Sequence, residues 1–454
     1  MRRRSIMGPL ILILIGGLFL AYNLRPDLRI LDLLTLYWPF LLIFWGGVRL
    51  IEVLIARSRS ERIRSTLSGG EIALIVVLCV LGSAFYSAHR HGLHINTRGL
   101  EVFGEEYSYD VSAQKPAGKV KRILIQNRRG NIRLNGSDQP ELRVSGRKAV
   151  RAFHESEAQK AHERSALELV EQGDEIIIRT NQDRVSRNSR IWEDLEITAP
   201  RPVEVTVEGD QGEYEITDFT GGVTVNSERA DVRLSRIGGN VRIQANRSDV
   251  VRAVEVSGNI DLEGRGSDVV LENIAGQVSI HGTYVGSLEF RKLAKPLHFE
   301  SQNTDLRVES LPGEITMNLG DFAARQLVGP VRLITKSRDV RIEDFTQSLE
   351  LEAERGDIEL QPSRVPLAKI TVRSKAGRIE LALPSQAGFQ LEAVAQHGEA
   401  ENEFGPGIEK QTDGRTNSLK GKVGQGPTIL LITDRGSVTV RKQGGNSRAG
   451  ETKL

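Results

Sequence analysis

From about residue 119 onward, apolar and polar positions alternate in short bursts, the signature of half-buried strands. The bursts recur as units beginning near Gly221 (GGVTVNSERADVRLSRI), Gly238, Gly258, Gly276, Lys295 (KPLHFESQNTDLRVESLP), Gly313, Gly329, Gln347 and Leu367. Successive starts are 17, 20, 18, 19, 18, 16, 18 and 20 residues apart, a period of about 18. Each unit holds two bursts about nine residues apart. Val223 with Val225 and Val232 with Leu234 form inward pairs in one unit; Val331 with Leu333 and Val340 with Ile342 repeat them. Spacing i, i+2 puts both members of a pair on one strand face, so Thr224, Arg233, Arg332 and Arg341 point outward. Gly-Asn, Gly-Asp and Ser-Asp between bursts supply turns. The expected fold is therefore mainly β: a single-chain β-solenoid of two-strand rungs over residues 119–442, each rung stabilised by its neighbours.

Other repeat architectures fit less well. A hexapeptide β-helix also takes about 18 residues per coil but needs an aliphatic every six, whereas here pairs recur every nine. A nonapeptide calcium roll needs G-G-x-G-x-D turns, which Gly221-Gly222-Val223 and Gly238-Gly239-Asn240 do not continue. Residues 151–172 (RAFHESEAQKAHERSALELVEQ) have helical composition, predicting a helix between strands at 119–149 and 174–180. Residues 181–191 read as an exposed basic loop, and 443–454 as a disordered tail.

The first 95 residues follow a different pattern. Three long apolar runs, at about 6–24, 33–55 and 72–88, predict membrane-spanning helices, with 96–118 as linker. MRRR before the first run resembles the start of a signal peptide, but Ala21-Tyr22-Asn23-Leu24 offers no small-x-small cleavage site, so an uncleaved anchor is expected. Arg2, Arg3 and Arg4 precede the first run, and Arg57, Arg59, Arg62 and Arg64 lie between the second and third. The positive-inside rule puts both groups in the cytoplasm, and an odd number of spans sends the rest of the chain across a cell (inner) membrane.

Charge divides the chain in the same way. Residues 1–95 carry 11 Arg and no Lys against 5 acids, while the remainder has 50 basic and 54 acidic residues. The near-neutral total of +2 argues against a nucleic-acid partner. A lone cysteine, Cys79, excludes a disulfide framework and Cys-based metal centres.

Two segments also carry a family resemblance. AGFQLEAVAQHGEAENEF (387–404) followed by NSLKGKVGQGPTILLITDRGSVTV (417–440) resembles the closing pattern of the bacterial "putative adhesin" β-repeat family, a G-F-x-L-x-A strand, then L-x-G-x-[VL]-G-x-G and a final G-x-[VI]-x-[VI] strand. Leu419, Gly421, Val423, Gly424, Gly426, Gly436, Val438 and Val440 occupy those places. The opening resembles the transmembrane region of LiaF-like envelope-stress proteins, through Gly8, Pro9 and Gly16, then Trp38, Pro39, Gly46 and Gly47. Neither resemblance implies catalytic residues. Span number varies among LiaF-like proteins, so the orientation rests on the arginines.

Candidate chemistry is sparse. His89, His91 and His94 place three imidazoles within six residues, a potential metal site or pH switch, but no Cys or carboxylate lies beside them and a polar interfacial collar accounts for them. No cofactor is expected. Acid pairs such as Asp339 with Asp344 and Glu354 with Asp357 would need to face each other across a groove for glycoside hydrolysis. His281 and His298 lack a nucleophile-elbow motif, and no phosphate-cradling loop occurs. Arg179, Arg184, Arg187 and Arg190 form a basic loop suited to anionic headgroups or an envelope polymer, or simply to solvent. Gly16-Gly17 and Gly46-Gly47 allow close helix approach, for a partner, for self-association or for packing the spans. The expectation is a non-enzymatic, bilayer-anchored scaffold, adhesin-like surface or sensing module. The alternative is a regulator acting through its spans on a membrane signalling partner such as a sensor kinase.

Overall fold

Where small turn residues follow every second pair of inward aliphatics, the chain doubles back over itself and stacks. The computed structural model describes residues 104–185 and 190–444, the short strands His94–Asn96 and Gly99–Glu101, and residues 76, 79 and 80. The three expected spans apart from residues 76, 79 and 80, together with His89, His91, Arg187 and nearly all of the C-terminal tail, lie outside these residues. Among the described residues no helix is long and apolar enough to cross a membrane.

The chain divides into two units. The smaller comprises Met1–Tyr107, Val150–Lys160 and Asn188–Arg190. Its described part includes the antiparallel pair His94–Asn96 and Gly99–Glu101. The larger comprises Ser108–Ala149, Ala161–Arg187 and Ile191–Leu454 and holds the solenoid.

Rungs stack in register. Val223 pairs with Val241, Val241 with Ile260, and Ile260 with Val278, all parallel; Val232, Val251, Val269 and Leu288 do the same in the second column. The predicted inward residues Val223, Val225, Val232 and Leu234, and Val331, Leu333, Val340 and Ile342, are all buried. Two strand columns thus enclose one aliphatic core, with Tyr214, Phe219, Phe290, Phe299, Phe322 and Phe389 filling its wider parts.

The turn residues do more than turn. Asn240 Oδ1 accepts the Asn259 N–H (2.9 Å), Asn259 Oδ1 the Gln277 N–H (2.9 Å), Asp339 Oδ1 the Asp357 N–H (2.8 Å) and Asp357 Oδ1 the Arg378 N–H (2.8 Å). Each side chain satisfies a donor of the next rung that no ladder partner reaches. Where each second-column strand ends, Asp218, Arg236, Glu255, Asn273, Lys292, Gln326 and Asp344 all take left-handed φ of 51 to 67°, each followed by a buried apolar residue such as Phe219 or Ile237.

Three features depart from a simple coil. First, the unit beginning at Lys295 does not split between columns. Leu297–Glu300 and Thr304–Met317 form a hairpin within one column, so Thr304–Met317 runs antiparallel to both its neighbours before Asp321–Ser337 restores the original sense. The cause is local: Ser301 Oγ accepts the N–H groups of Asn303 and Thr304, and Asn318 Oδ1 those of Gly320 and Asp321 (2.7 Å each). The buried Arg338 guanidinium donates to Thr304 Oγ1 and the Asn318 carbonyl, tying the two turns together.

Second, stacking order is not sequence order at either end. The rung of Arg122–Gln126 and Ile132–Ser137 lies between that of Glu175–Arg179 and Arg190–Pro200 and that of Glu204–Phe219. The rung of Thr428–Arg435 and Val438–Lys442 lies between that of Ile370–Leu383 and that of Phe389–Glu403. An antiparallel hairpin, Ile408–Asp413 with Thr416–Val423, covers the far edge of Phe389–His397.

Third, the expected helix at 151–172 is shorter. Helix α1 spans Glu155–Arg164, with acids in its first turn and basic residues in its last, as the helix dipole favours. Residues Glu168–Gln172 form a strand instead, turned back at Gly173 (φ 67°) to pair antiparallel with Glu175–Arg179. Val170 faces the aliphatic run Ile176-Ile177-Ile178, and that cross-strand partner overrides the Glu/Leu helical propensity of the segment.

Candidate functional site

Alternation also identifies where the solenoid breaks its own rule. In Glu141–Ala152 the inward positions are Leu142, Val144, Gly146, Lys148, Val150 and Ala152; in Arg190–Pro200 they are Ile191, Glu193, Leu195, Ile197 and Ala199. Lys148 and Glu193 therefore sit at aliphatic positions, and both side chains are fully buried with Nζ 3.4 Å from Oε2. Lys148 also donates to the Ser165 carbonyl, while Ser165 Oγ donates to the Ala161 carbonyl (2.7 Å).

A polar shell surrounds the pair. The Asn127 amide donates to the Glu193 carbonyl (2.9 Å), and its Oδ1 accepts from Gln182 (2.9 Å) and Thr180 (3.4 Å). His162 stacks on Tyr109 with centroids 4.2 Å apart. Burial pushes the Glu193 carboxyl up to about 7, against the opposing pull of the Lys148 ammonium. Burial likewise lowers Lys148, with Glu193 opposing, and lowers His162, where the Lys148 charge adds to the effect. Such a cluster is able to store or release a proton within the neutral range. A charged residue at inward parity was the available sequence signal for it.

The sequence-predicted residues are used mainly for structure. Asp339 and Asp357 cap neighbouring rungs; Asp344 takes Ser363 Oγ, with Arg364 3.6 Å away; Glu354 pairs with Lys375 at 3.0 Å. None of these acids faces another across a groove. His281 and His298 meet edge to face with centroids 5.5 Å apart, His281 lying 3.6 Å from Glu300 and His298 3.4 Å from Asp305. No group of three or more metal-ligating side chains converges among the described residues. His94 lies in the strand His94–Asn96.

The basic loop is not a free cluster. Arg179 Nε donates to Gln126 Oε1 (3.1 Å), and Arg184 pairs with Glu168 (3.2 Å). Arg190 opens the strand Arg190–Pro200.

Among the described residues, open concavities on the solenoid surface include the following two. One, of about 740 Å³, follows the corner through Glu228, Arg229, Asn246, Arg247, Arg265 and His281. The other, of about 510 Å³, lies at the opposite corner beside Lys292, Gln326 and Asp344.

With this geometry, residues 120–441 match the Toastrack DUF4097 family. The chain belongs to the Toastrack family. Residues 7–99 match the LiaF transmembrane domain. Among curated proteins no sequence matches. Two crystal structures are similar. A "putative cell adhesion protein" from Clostridium sporogenes is 7% identical, covering 75% of this chain and all of its own, with a TM-score of 0.16. A "putative adhesin" from Bacteroides fragilis is 10% identical, covering 74% of this chain and 97% of its own, with a TM-score of 0.18. The two family matches together describe a membrane-anchored, envelope-associated Toastrack protein.

Proposed function

We propose that this Toastrack protein is a non-catalytic binding platform of the cell envelope, carried on three N-terminal spans with its solenoid on the extracytoplasmic side. The observation that carries the reading is the order of regions in one chain: a LiaF-type transmembrane region, then a long polar-faced repeat. The outward faces support it. Ion pairs across rungs, such as Arg133 with Glu215 and Arg341 with Glu359, keep the surface charged and soluble while leaving corners open. The arginine distribution of residues 1–95 supports the orientation.

Reporter fusions after Arg62 and after Gly398, with protease treatment of intact spheroplasts, test the topology. The expected result is a cytoplasmic Arg62 reporter and a solenoid cleaved from outside; a protected solenoid overturns the reading. The LiaF match favours one second reading, in which the spans hold a membrane signalling partner and the solenoid modulates it. Deleting residues 1–95 separates the two: signalling needs the spans, whereas a binding solenoid keeps its ligand without them.

A further inference from the structure

One corner of the solenoid carries a column of cations. Arg129 bridges to Gln211, Gln211 pairs with Arg229, and Arg229 with Arg247; Arg265 stands opposite Asn246 and Arg247 across a bulge and pairs with Thr283. All four arginines are exposed. At about 4.8 Å per rung, the six positions span about 24 Å along the solenoid axis.

The column stands out by stacking unpaired arginines on successive rungs. On the strand faces many outward arginines meet a carboxylate on a neighbouring rung, as Arg122 does Asp174, Arg242 Asp261 and Arg332 Glu350. Those that do not, such as Arg252 and Arg373, are not followed by another on the next rung. Among the described residues, Arg129, Arg229, Arg247 and Arg265 enter no ion pair. Like charges stacked on successive strands repel each other, so an unneutralised column works against the fold. Two acids, Glu228 and Glu263, line the same concavity, and Glu263 is bonded by Gln244 (3.1 Å). Asn246, Gln211 and Thr283 add neutral donors alongside.

We propose that this corner binds a linear polyanion of the polyol-phosphate class, laid along the solenoid axis with successive phosphodiesters forked by Arg229, Arg247 and Arg265. The inference rests on the reading of the solenoid as an envelope-facing platform and names its ligand. Guanidinium groups match phosphate oxygens with two parallel donors, and a column of them rewards a repeating anion over a single one. The neutral donors suit the hydroxyls between phosphates.

The test uses the full chain in nanodiscs of neutral lipid, with poly(glycerol phosphate), glycerol phosphate and neutral dextran as probes in calorimetry. The polymer is expected to bind and glycerol phosphate to bind at least 100-fold more weakly. Affinity should fall with salt at a log–log slope of about −3, one counterion per engaged arginine. The triple variant R229Q/R247Q/R265Q should bind at least tenfold more weakly with a shallower slope, and unfold at no lower temperature than the parent. R332Q, at an ion-paired arginine, should leave affinity unchanged. The inference is overturned by absent polymer binding, by an unaltered triple variant, or by monomer binding as tight as polymer binding. Such a result with the solenoid still cleavable from outside removes the ligand and leaves the platform; a protected solenoid removes the platform itself.

Discussion

Replacing Lys148 by Met removes the cation facing Glu193 and leaves the surrounding shape nearly unchanged. At pH 8 the parent carboxylate is ionised against Lys148, whereas in the variant it has no cation and takes up a proton instead. That adds about 1.4 kcal/mol to the cost of the substitution, one unit above the parent value of about 7. At pH 5 the outcome differs. With its carboxyl pushed up to about 7, Glu193 is mostly neutral there in the parent protein, and Lys148 is the buried unpaired charge. Removing it should then cost little beyond the bond to the Ser165 carbonyl. Glu193 has its own signature. An acid whose folded pKa exceeds its unfolded one contributes stability that is complete below about 4.5 and lost as pH rises through about 7. At about 1.4 kcal/mol per unit the span is about 3 kcal/mol, and Glu193→Gln should flatten that part of the profile. Urea unfolding of the detergent-solubilised chain at pH 5 and pH 8, followed by circular dichroism, measures both. Equal costs for Lys148→Met at the two pH values, or an unchanged slope for Glu193→Gln, would refute the reasoning.

Four further outcomes follow from the rung geometry. Gly377 has φ 138° and an added Cβ would lie 2.0 Å from the Gly356 carbonyl oxygen, so Gly377→Ala should lower stability by about 2–4 kcal/mol in the same unfolding assay. Lys292 has φ 51°, which costs a non-glycine residue about 1–2 kcal/mol; Lys292→Gly should recover about 0.5 kcal/mol after the extra chain entropy, read as a higher melting temperature. Arg338→Met should destabilise by about 2 kcal/mol and speed hydrogen exchange at 301–321, because Thr304 Oγ1 and the Asn318 carbonyl lose their donor. Asn259→Ala should cost about 1 kcal/mol and expose the Gln277 amide to exchange.

Where the fold depends on local alternation, the sequence was readable. The i, i+2 pairs named their own inward faces, and the nine-residue spacing separated this solenoid from hexapeptide coils. What escaped depends on partners distant in sequence. The bursts at Leu297 and Leu306 look like any others, and only the turn at Ser301 decides that they pair with each other. Nothing near Ile370 announces that its neighbour in the stack is Ile429. Helical composition at 168–172 yielded to a strand partner at 175–179. The site was legible in a different sense. Lys148 and Glu193 break the apolar parity of their strands, which was visible, but their meeting is a long-range event. The arginines of 179–190 attracted attention as a run along the chain, whereas the column of Arg229, Arg247 and Arg265 exists only once rungs are stacked.

The insertion of Thr428–Lys442 between earlier rungs bears on how the chain is made. Phe389–His397 pairs with Thr428–Arg435 and with the hairpin strand Thr416–Val423, never with Ile370–Ala376. Until residue 428 has emerged, the stack ending at Ile370–Leu383 and the cap built on Phe389–Glu403 are two pieces with an unfilled slot between them. The final strands act as a keystone: the two pieces join only when the last one slides in between them. A prematurely ended chain would therefore present two open strand edges of matching register, a template for pairing with other chains and a mark by which quality control can recognise it.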